Sequence, residues 1–251
     1  MKLALLALAA CIQPLAAQDP PSPIIYIYRE QIKSGKSAAY TQIEEAAARF
    51  CAKANCPNPY LAITSLTGPN EAWWINGFDS MDAMEKVWHQ YGANQEISQE
   101  LDRVAEKKAD LAFSANIWMA RFRDDLSFSS TQLSPHFISI SVIHVRPGHV
   151  ANFEKMRQFL RNVQRNSIGH PLWVYQVTSG AEDTTFLVMI PGRTMQEIQA
   201  TPVPDDHLSN LGDLIRDAIA SSETRLYAVS PSMSMPASSW VEADPDFWKR
   251  P

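Results

Sequence analysis

Two short stretches decide the fold of this chain: Lys33-Ser34-Gly35-Lys36 and Arg146-Pro147-Gly148-His149. Each stretch closes a strand-like run and opens a helical run, and Gly148 follows Gly35 by 113 positions. At the same offset the apolar stripes of the two helical runs coincide, so that Tyr40, Ile43, Ala47 and Phe50 correspond to Phe153, Met156, Leu160 and Val163. Self-similarity at a fixed offset is the signature of a repeated architecture. The chain is therefore predicted to contain one unit twice.

The hydrophobic periodicity gives each unit the same order of elements, β-α-β-β-α-β. The first unit spans residues 24–122 and the second spans 136–229, with a polar linker rich in Ser and Asp at 123–135. The second helix is interrupted in both units, by Gly92 in one and by Pro202-Val203-Pro204 in the other, where a short helix is expected from Thr194. An antiparallel sheet with both helices on one face leaves its other face open. The predicted fold class is α+β, with two tandem ferredoxin-like units burying their open faces as a pseudo-dimeric α/β barrel.

This tandem arrangement resembles the dimeric α/β-barrel superfamily, fused here into one chain. The glycines after the first strands (Gly35 and Gly148), the amphipathic helix that follows and the split second helix are similar to its NIPSNAP-like and antibiotic-biosynthesis-monooxygenase-like branches. The resemblance covers roughly residues 24–230 and is one of pattern, so it bears on the fold more than on an activity. Some members of this superfamily perform oxygen chemistry, either without a cofactor or on bound haem.

The N-terminus is typical of an export signal. Lys2 precedes the apolar run Leu3–Ile12, which is too short to span a bilayer, and Leu15-Ala16-Ala17 offers small residues for cleavage. We therefore predict a signal peptide over residues 1–17 and a periplasmic or secreted protein. The alternative is a lipoprotein, because Leu8-Ala9-Ala10-Cys11 resembles a lipoprotein box and would leave Cys11 lipidated.

Two segments outside the repeats are irregular. Residues 18–23 form a Pro-rich leader that is expected to be extended. Residues 230–251 carry Trp240, Phe247 and Trp248, and aromatic side chains of this size are expected to pack on the body of the protein.

Cys51 and Cys56 remain once the signal peptide is removed. An even pair of cysteines in an exported protein favours a disulfide, here across the end of a helix. The alternative is a pair of free or metal-binding thiols, but no closely spaced histidine completes a metal set.

The composition is that of an ordinary globular protein, with 45% hydrophobic and 20% charged residues. A formal net charge of −5 and the absence of a basic patch argue against nucleic acid as a partner. No other stretch approaches the roughly 20 apolar residues of a membrane helix. Because both units lie in one chain, a monomer can close the barrel, although a homodimer is the alternative.

A ligand pocket is predicted inside the barrel, between the two sheets. Ile25 and Ile27 align with Ile138 and Ile140 and are expected to face the helices. The opposite face would then line the barrel with Tyr26, Tyr28 and Glu30 from one unit and with Ser139, Ser141 and Ile143 from the other. Trp74 and Asn76 share one face of the third strand and are added to this site, with the direction of that face left open. Two interpretations stay open: large side chains packed against small ones, or a cavity for a small apolar or aromatic molecule.

No strong catalytic signature is present, and no metal or tightly bound cofactor is expected. In the haem-degrading branch that the chain resembles, an Asn on the first strand, a Trp on the third and a His on the second helix act together. Trp73 or Trp74 and His89 can match two of these positions, but Tyr26 and Tyr28 stand where the Asn would be. The paired acids Glu44-Glu45 are interpreted as solvated.

Three functional hypotheses follow. The first is an exported, non-catalytic small-molecule-binding or interaction protein with its pocket between the sheets. The second is a cofactor-independent, monooxygenase-like enzyme acting on an aromatic or quinol-like substrate. The third is a structural partner that docks through the aromatic tail around Trp240 and Trp248.

Overall fold

The structure is a computed structural model that describes residues 21–128, 134–165, 171–199 and 205–249. The predicted signal peptide, Cys11 and residues 18–20 of the predicted leader lie outside the described residues, as do residues 129–133 of the predicted linker and the last two residues of the tail.

The elements alternate in the predicted order, and the α+β class is confirmed. The first half contains β1 (Ile24–Ile32), α1 (Ser37–Ala54), β2 (Tyr60–Ser65), β3 (Glu71–Phe78), α2 (Met81–Ala93), α3 (Gln95–Lys108) and β4 (Ala112–Phe122). The second half contains β5 (Phe137–Val145), α4 (Val150–Arg165), β6 (Trp173–Ser179), β7 (Thr185–Gly192), α5 (Asp205–Ala218) and β8 (Ile219–Val229). Two short helices follow, α6 (Ser238–Ala243) and α7 (Pro245–Trp248).

Local differences from the prediction have local causes. Helix α2 continues through Gly92 and ends at Ala93, where Asn94 caps the next helix by accepting a hydrogen bond from the backbone N–H of Ile97. The short helix expected from Thr194 is a turn over the described residues. Strand β8 begins at Ile219 and pairs with β5 from that residue to Ala228.

The eight strands form one closed antiparallel barrel in the order β1-β3-β2-β8-β5-β7-β6-β4. Strand β1 lies between β3 and β4, and β5 lies between β7 and β8 in the same way. The ladder shifts register at Gln31/Ile32 in one half and at His144/Val145 in the other. The pairs β2–β8 and β4–β6 join the halves and close the barrel.

The two glycines that anchor the sequence pattern occupy equivalent turns. Gly35 has a φ of 75° and Gly148 a φ of 83°, in the left-handed region that glycine enters without steric cost. Each turn leads a strand at the barrel wall into a helix on its outer surface.

The predicted direction of the strand faces is wrong. Ile25, Ile27, Ile138 and Ile140 point into the barrel, where they join one apolar cluster with Trp73, Trp118 and Trp173. Tyr26 and Tyr28 lie instead on the outer face, beside residues of the helix layer. The physical reason is volume: the interior of an eight-stranded barrel is filled by side chains, and apolar ones fill it without a desolvation cost.

The C-terminal segment lies against one mouth of the barrel. Trp248 is buried in the barrel cluster and donates a hydrogen bond from Nε1 to Oγ of Ser134 over 2.9 Å. The ring of Phe247 stacks on His136 with centroids 3.7 Å apart, and Nε2 of His136 lies 2.8 Å from Oδ2 of Asp244.

Cys51 and Cys56 form the predicted disulfide, which joins the last turn of α1 to the segment that leads into β2. None of the helices in the described ranges is long and apolar enough to cross a membrane.

An ionic cluster occupies one region of the barrel interior, near the end of β1. The buried carboxylate of Glu71 accepts hydrogen bonds from Arg29 (2.8 Å), from Arg225 (2.7 Å) and from the hydroxyl of Tyr227. Both arginines also contact Glu223, and the guanidinium of Arg29 lies over the Trp73 ring at 4.9 Å. Burial opposes ionisation of Glu71, but the three hydrogen bonds outweigh it and hold the pKa of this carboxyl below its usual range.

The Glu71 cluster predicts a pH-dependent stability. Because the folded-state pKa is lowered, its contribution is complete above the unfolded pKa of about 4.3 and is lost as the pH falls through the folded value. Glu71→Gln should lower the free energy of unfolding at pH 7 by about 3 kcal/mol, since it breaks a buried ion pair. The deficit should shrink as the pH falls below about 4.3, because the unfolded carboxyl binds a proton there, whereas the folded carboxyl binds one only at its lower pKa.

Urea denaturation at several pH values measures this effect. Glu223→Gln is the matched control, because Glu223 contacts the same two arginines but is 40% exposed, and it should cost at most about 1 kcal/mol. If the two variants lost the same amount of unfolding free energy at pH 7, Glu71 would not be the central residue of this cluster.

Candidate functional site

The structure separates the predicted ligand-binding residues into two groups. Tyr26, Tyr28, Glu30, Trp74 and Asn76 come together on the outer face of β1 and β3, beneath the helices of the first half. Ser139 and Ser141 lie on the corresponding face of β5, on the other side of the barrel, and the hydroxyl of Ser141 lies 2.7 Å from that of Thr224. The proposed partnership between the tyrosines and the serines across one cavity is therefore wrong.

The antiparallel register of β1 and β3 brings the first group together. Tyr26 is opposite Asn76, and Tyr28 is opposite Trp74, with a centroid distance of 6.0 Å between the latter two rings. Alternation along a strand sends residues two apart to the same face, so all four side chains point towards the helix layer. Tyr40 from α1 packs on the other side of Trp74, also at 6.0 Å.

A cavity of about 330 Å³ lies between this sheet face and helices α1–α3. Aromatic side chains dominate its walls: Tyr26, Tyr28, Tyr60, Trp74 and Tyr91. Smaller apolar groups complete it, namely Ala47, Cys51, Leu101, Val104 and Ala105. It adjoins a second hollow of about 360 Å³, where Trp88 meets Tyr26 edge to face at 5.8 Å. This volume and this mixture of apolar walls with few polar groups are typical of small-molecule sites.

A larger cavity of about 640 Å³ lies at the barrel mouth, between Pro21–Pro23 and the tail residue Trp240. Its acidic lining residues, Asp79 and Asp124, are accompanied by no basic partner among its described lining. The smaller cavity contains both a buried acid and a buried base, so we place the candidate site there.

The polar end of the cavity is a buried ionic cluster around Lys108. Its Nζ lies 2.8 Å from Oε2 of Glu30 and 2.6 Å from Oε1 of Glu44. The hydroxyl of Tyr28 donates to Oε1 of Glu30 over 3.1 Å, and the hydroxyl of Tyr40 donates to Oε2. The Lys108 ammonium also lies over three rings, at 5.0 Å from Trp74, 5.3 Å from Tyr28 and 5.6 Å from Tyr40.

Burial and charge set the protonation of this cluster. Burial raises the pKa of Glu44, and Lys108 opposes that rise only in part. Burial acts to lower the pKa of Lys108, but the two carboxylates outweigh it and raise this pKa. Burial, followed by the charge of Glu30, raises the pKa of Tyr28 to about 12, and burial raises that of Tyr40 further. Both phenols therefore remain neutral hydrogen-bond donors at neutral pH.

Several of the corresponding positions in the second half are apolar and closely packed, although Ser139 and Ser141 stand at the offset positions of Tyr26 and Tyr28. The register aligns Glu30 with Ile143, Trp74 with Val188 and Asn76 with Ile190. All three second-half residues belong to one apolar cluster. Phe153, at the offset position of Tyr40, is fully buried against Phe186 with centroids 4.4 Å apart. Arg157, at the offset position of Glu44, is also buried, at 5% exposed. The first half is therefore distinguished by two acids, a base and phenols around one cavity, and not by having the only buried charge.

Sequence reasoning missed Glu44, Lys108 and Tyr40 as site residues. The interpretation of Glu44 as a solvated acid is wrong: the residue is 6% exposed. A signal was present, since Glu44 follows Tyr40 by one helical turn and Lys108 follows Val104 in the same way. A charged residue within an apolar helical stripe indicates that the charge is buried with the stripe.

The residue pattern expected from the resemblance to haem-degrading proteins is not assembled in the described part of the chain. Trp74 lies on the cavity wall, but the His89 side chain is 79% exposed, and its Nε2 lies 3.6 Å from Oε1 of Glu85 at the surface. Tyr26 and Tyr28 occupy the first-strand positions. These residues do not fit a haem held by His89.

No protein-family model and no curated protein matches this chain. Several solved structures share its fold. A candidate monooxygenase from Fusobacterium nucleatum is 15% identical over 83% of this chain and 93% of its own, with a TM-score of 0.56. An anthrone oxidase-like protein is 13% identical over 82% and 91%, with a TM-score of 0.55. A candidate monooxygenase from Lactobacillus acidophilus is 11% identical over 83% and 94%, with a TM-score of 0.52. These similarities support a ferredoxin-like α+β barrel fold.

Lys108 is predicted to be required for the stability of the polar cluster. Lys108→Met would leave two buried carboxylates without their counter-ion, which costs about 3–5 kcal/mol of unfolding free energy at pH 7. Because protonation of Glu30 and Glu44 relieves the unpaired charge, this deficit should become smaller as the pH falls below about 5.

Chemical denaturation between pH 4 and pH 8 tests this expectation. Lys107→Met is the control, because Lys107 is the exposed neighbour on the same helix and its loss should cost no more than about 0.5 kcal/mol. A deficit that is equal for the two variants, or that grows towards low pH, would contradict the assignment.

Proposed function

We propose that this protein binds a flat aromatic small molecule in the cavity between the outer face of β1 and β3 and helices α1–α3. The observation that carries the proposal is the set of five aromatic walls around about 330 Å³, closed at one end by Lys108 and Glu44. Aromatic faces bind a flat ring through dispersion and edge-to-face contacts, and a few placed polar groups fix its orientation. The proposed pocket therefore lies beneath the helices, and not between the two sheets as the sequence pattern predicted.

A second candidate function is a cofactor-independent, monooxygenase-like reaction on an aromatic or quinol-like substrate in the same cavity. Its specific support is the buried Glu44 carboxylate, which can take a proton from a substrate. The fold shared with candidate monooxygenases and an anthrone oxidase-like protein supports it by analogy. An anthrone-type methylene would lose two hydrogens, and dioxygen would supply the new carbonyl oxygen and one molecule of water.

We further propose that the barrel is a fused pair of ferredoxin-like units, close to the NIPSNAP-like and antibiotic-biosynthesis-monooxygenase-like branches. The support is the repeated pairing of β1 and β5 and the repeated register shift. In this view one chain completes the barrel as a monomer, with a homodimer as the alternative. Export, by a signal peptide or with a lipid on Cys11, is supported by the leading sequence and by the Cys51–Cys56 disulfide.

Filling the cavity should abolish ligand binding without unfolding the protein. Ala105 lines the cavity from the exposed side of α3, so Ala105→Phe places a ring within it at little cost to the core. Wild-type protein should bind 2-naphthol with quenching of tryptophan fluorescence, and Ala105→Phe should weaken this binding at least tenfold. Gln99→Phe adds the same ring to an exposed position of α3 outside the described cavity lining, and it should leave the affinity unchanged.

An oxygen electrode distinguishes the two functions. Anthrone added to the wild-type protein should cause oxygen uptake above the buffer rate only if the second function is correct, and Ala105→Phe should remove that excess. Binding of 2-naphthol without excess uptake would leave the first function alone. Binding that Ala105→Phe does not weaken would refute the cavity as the site.

A further inference from the structure

The two buried carboxylates at the end of the cavity differ in their remaining capacity to accept hydrogen bonds. Glu30 already accepts from the hydroxyls of Tyr28 and Tyr40 and from the ammonium of Lys108. Oε1 of Glu44 is buried and lies 2.6 Å from Nζ of Lys108, whereas no hydrogen bond from the described part of the chain reaches its other oxygen, Oε2. A carboxylate has about four acceptor positions. Glu44 therefore retains acceptor capacity, and it lines the cavity.

The position of Glu44 is held from several sides. Its helix α1 presents Tyr40 one turn earlier and Ala47 about one turn later on the same buried face. Lys108 contacts it from α3, and Glu30 lies on β1 at the other side of that ammonium. A side chain that is 6% exposed has little freedom to turn towards bulk water. Its carboxylate is therefore fixed where an enclosed ligand would meet it.

The net charge of the cluster favours some ligands over others. Glu30, Glu44 and Lys108 together carry one excess negative charge when all three are ionised. The remaining titratable groups close to Glu44 are the phenols of Tyr28 and Tyr40, and burial raises the pKa of each, so they do not offset this charge. Tyr91 on α2 also lines the cavity, and burial raises the pKa of its phenol. An anionic ligand would thus enter against a negative charge in a site of low dielectric constant.

We infer that Glu44 is the specificity-determining residue of this cavity: it accepts a hydrogen bond from the ligand, so that the site selects aromatic molecules carrying a hydroxyl or amine donor and rejects aromatic carboxylates. This inference rests on the proposed function, because it requires the ligand to lie in this cavity. Glu30 and Lys108 act as positioning residues, since their own contacts are already satisfied.

Three probes of similar size separate the contributions of shape and of hydrogen bonding. 2-Naphthol has a donor hydroxyl, 2-methoxynaphthalene has the same oxygen without its proton, and 2-naphthoate is an anion. A hydrogen bond to a charged group contributes about 1.5–3 kcal/mol, which is about 10- to 150-fold in affinity. Wild-type protein should bind 2-naphthol at least tenfold more tightly than either of the other probes in a fluorescence or calorimetric titration.

The variant Glu44→Gln should reduce this discrimination. Its affinity for 2-naphthol should fall about tenfold, whereas its affinity for 2-methoxynaphthalene should change by less than twofold, and 2-naphthoate should bind more tightly than to the wild type. Glu45→Gln is the matched control, because Glu45 is the next residue on α1, is only partly buried and pairs with Arg49 at the surface. It should preserve the wild-type preference.

Each outcome distinguishes this inference from the function on which it rests. If 2-naphthol and 2-methoxynaphthalene bind equally to the wild type, and Ala105→Phe abolishes both, the cavity is correct and the role of Glu44 is wrong. If no probe binds, both are wrong. Should Glu44→Gln not fold, the ratios measured on the wild-type protein and on Glu44→Asp decide the matter, since the shorter acid should lose at least half of the preference.

Discussion

The structure depends on one steric constraint: the interior of an eight-stranded barrel is narrow enough for side chains to fill most of it. Here three tryptophans and a set of isoleucines fill it, and a single ionic cluster around Glu71 occupies one region. Once those residues point inwards, strict alternation sends their neighbours outwards. Tyr26, Tyr28 and Glu30 are then placed beneath the helices, where two layers meet less tightly than in the barrel. The location of the candidate site follows from how the core is packed.

Much of the fold could be predicted because its signals are local. The turns at Gly35 and Gly148, the amphipathic helices and the Cys51–Cys56 bridge each depend on residues close in sequence. The inward face of β1 could not be predicted in this way, since its alternation offers two faces of comparable character. Which face points inwards depends on the side chains that the other seven strands place in the barrel. The burial of Glu44 and Lys108 was not predicted, because isolated charges on a helix are usually solvated. Each of the two is buried only because the other lies beside it as a counter-ion.

The difference between the two sides of the barrel has a functional meaning. The same scaffold holds Ile143, Val188 and Phe153 on one side, and Glu30, Trp74 and Tyr40 on the other. Packing alone would be served by apolar side chains on both sides, with no cost for buried charge. The first side gathers two carboxylates, an ammonium and two phenols around one cavity, whereas the second side buries Arg157 at the offset position of Glu44. This difference supports placing the proposed site on the first side.

The most direct test of this account is a crystal structure of the protein soaked with 6-bromo-2-naphthol, with the bromine located by its anomalous scattering. The account predicts one bromine peak inside the cavity bounded by Trp74 and Ala105, with the hydroxyl oxygen within hydrogen-bond distance of Glu44. A peak confined to the barrel mouth beside Trp240, or an equivalent peak beneath the helices of the second half, would contradict it.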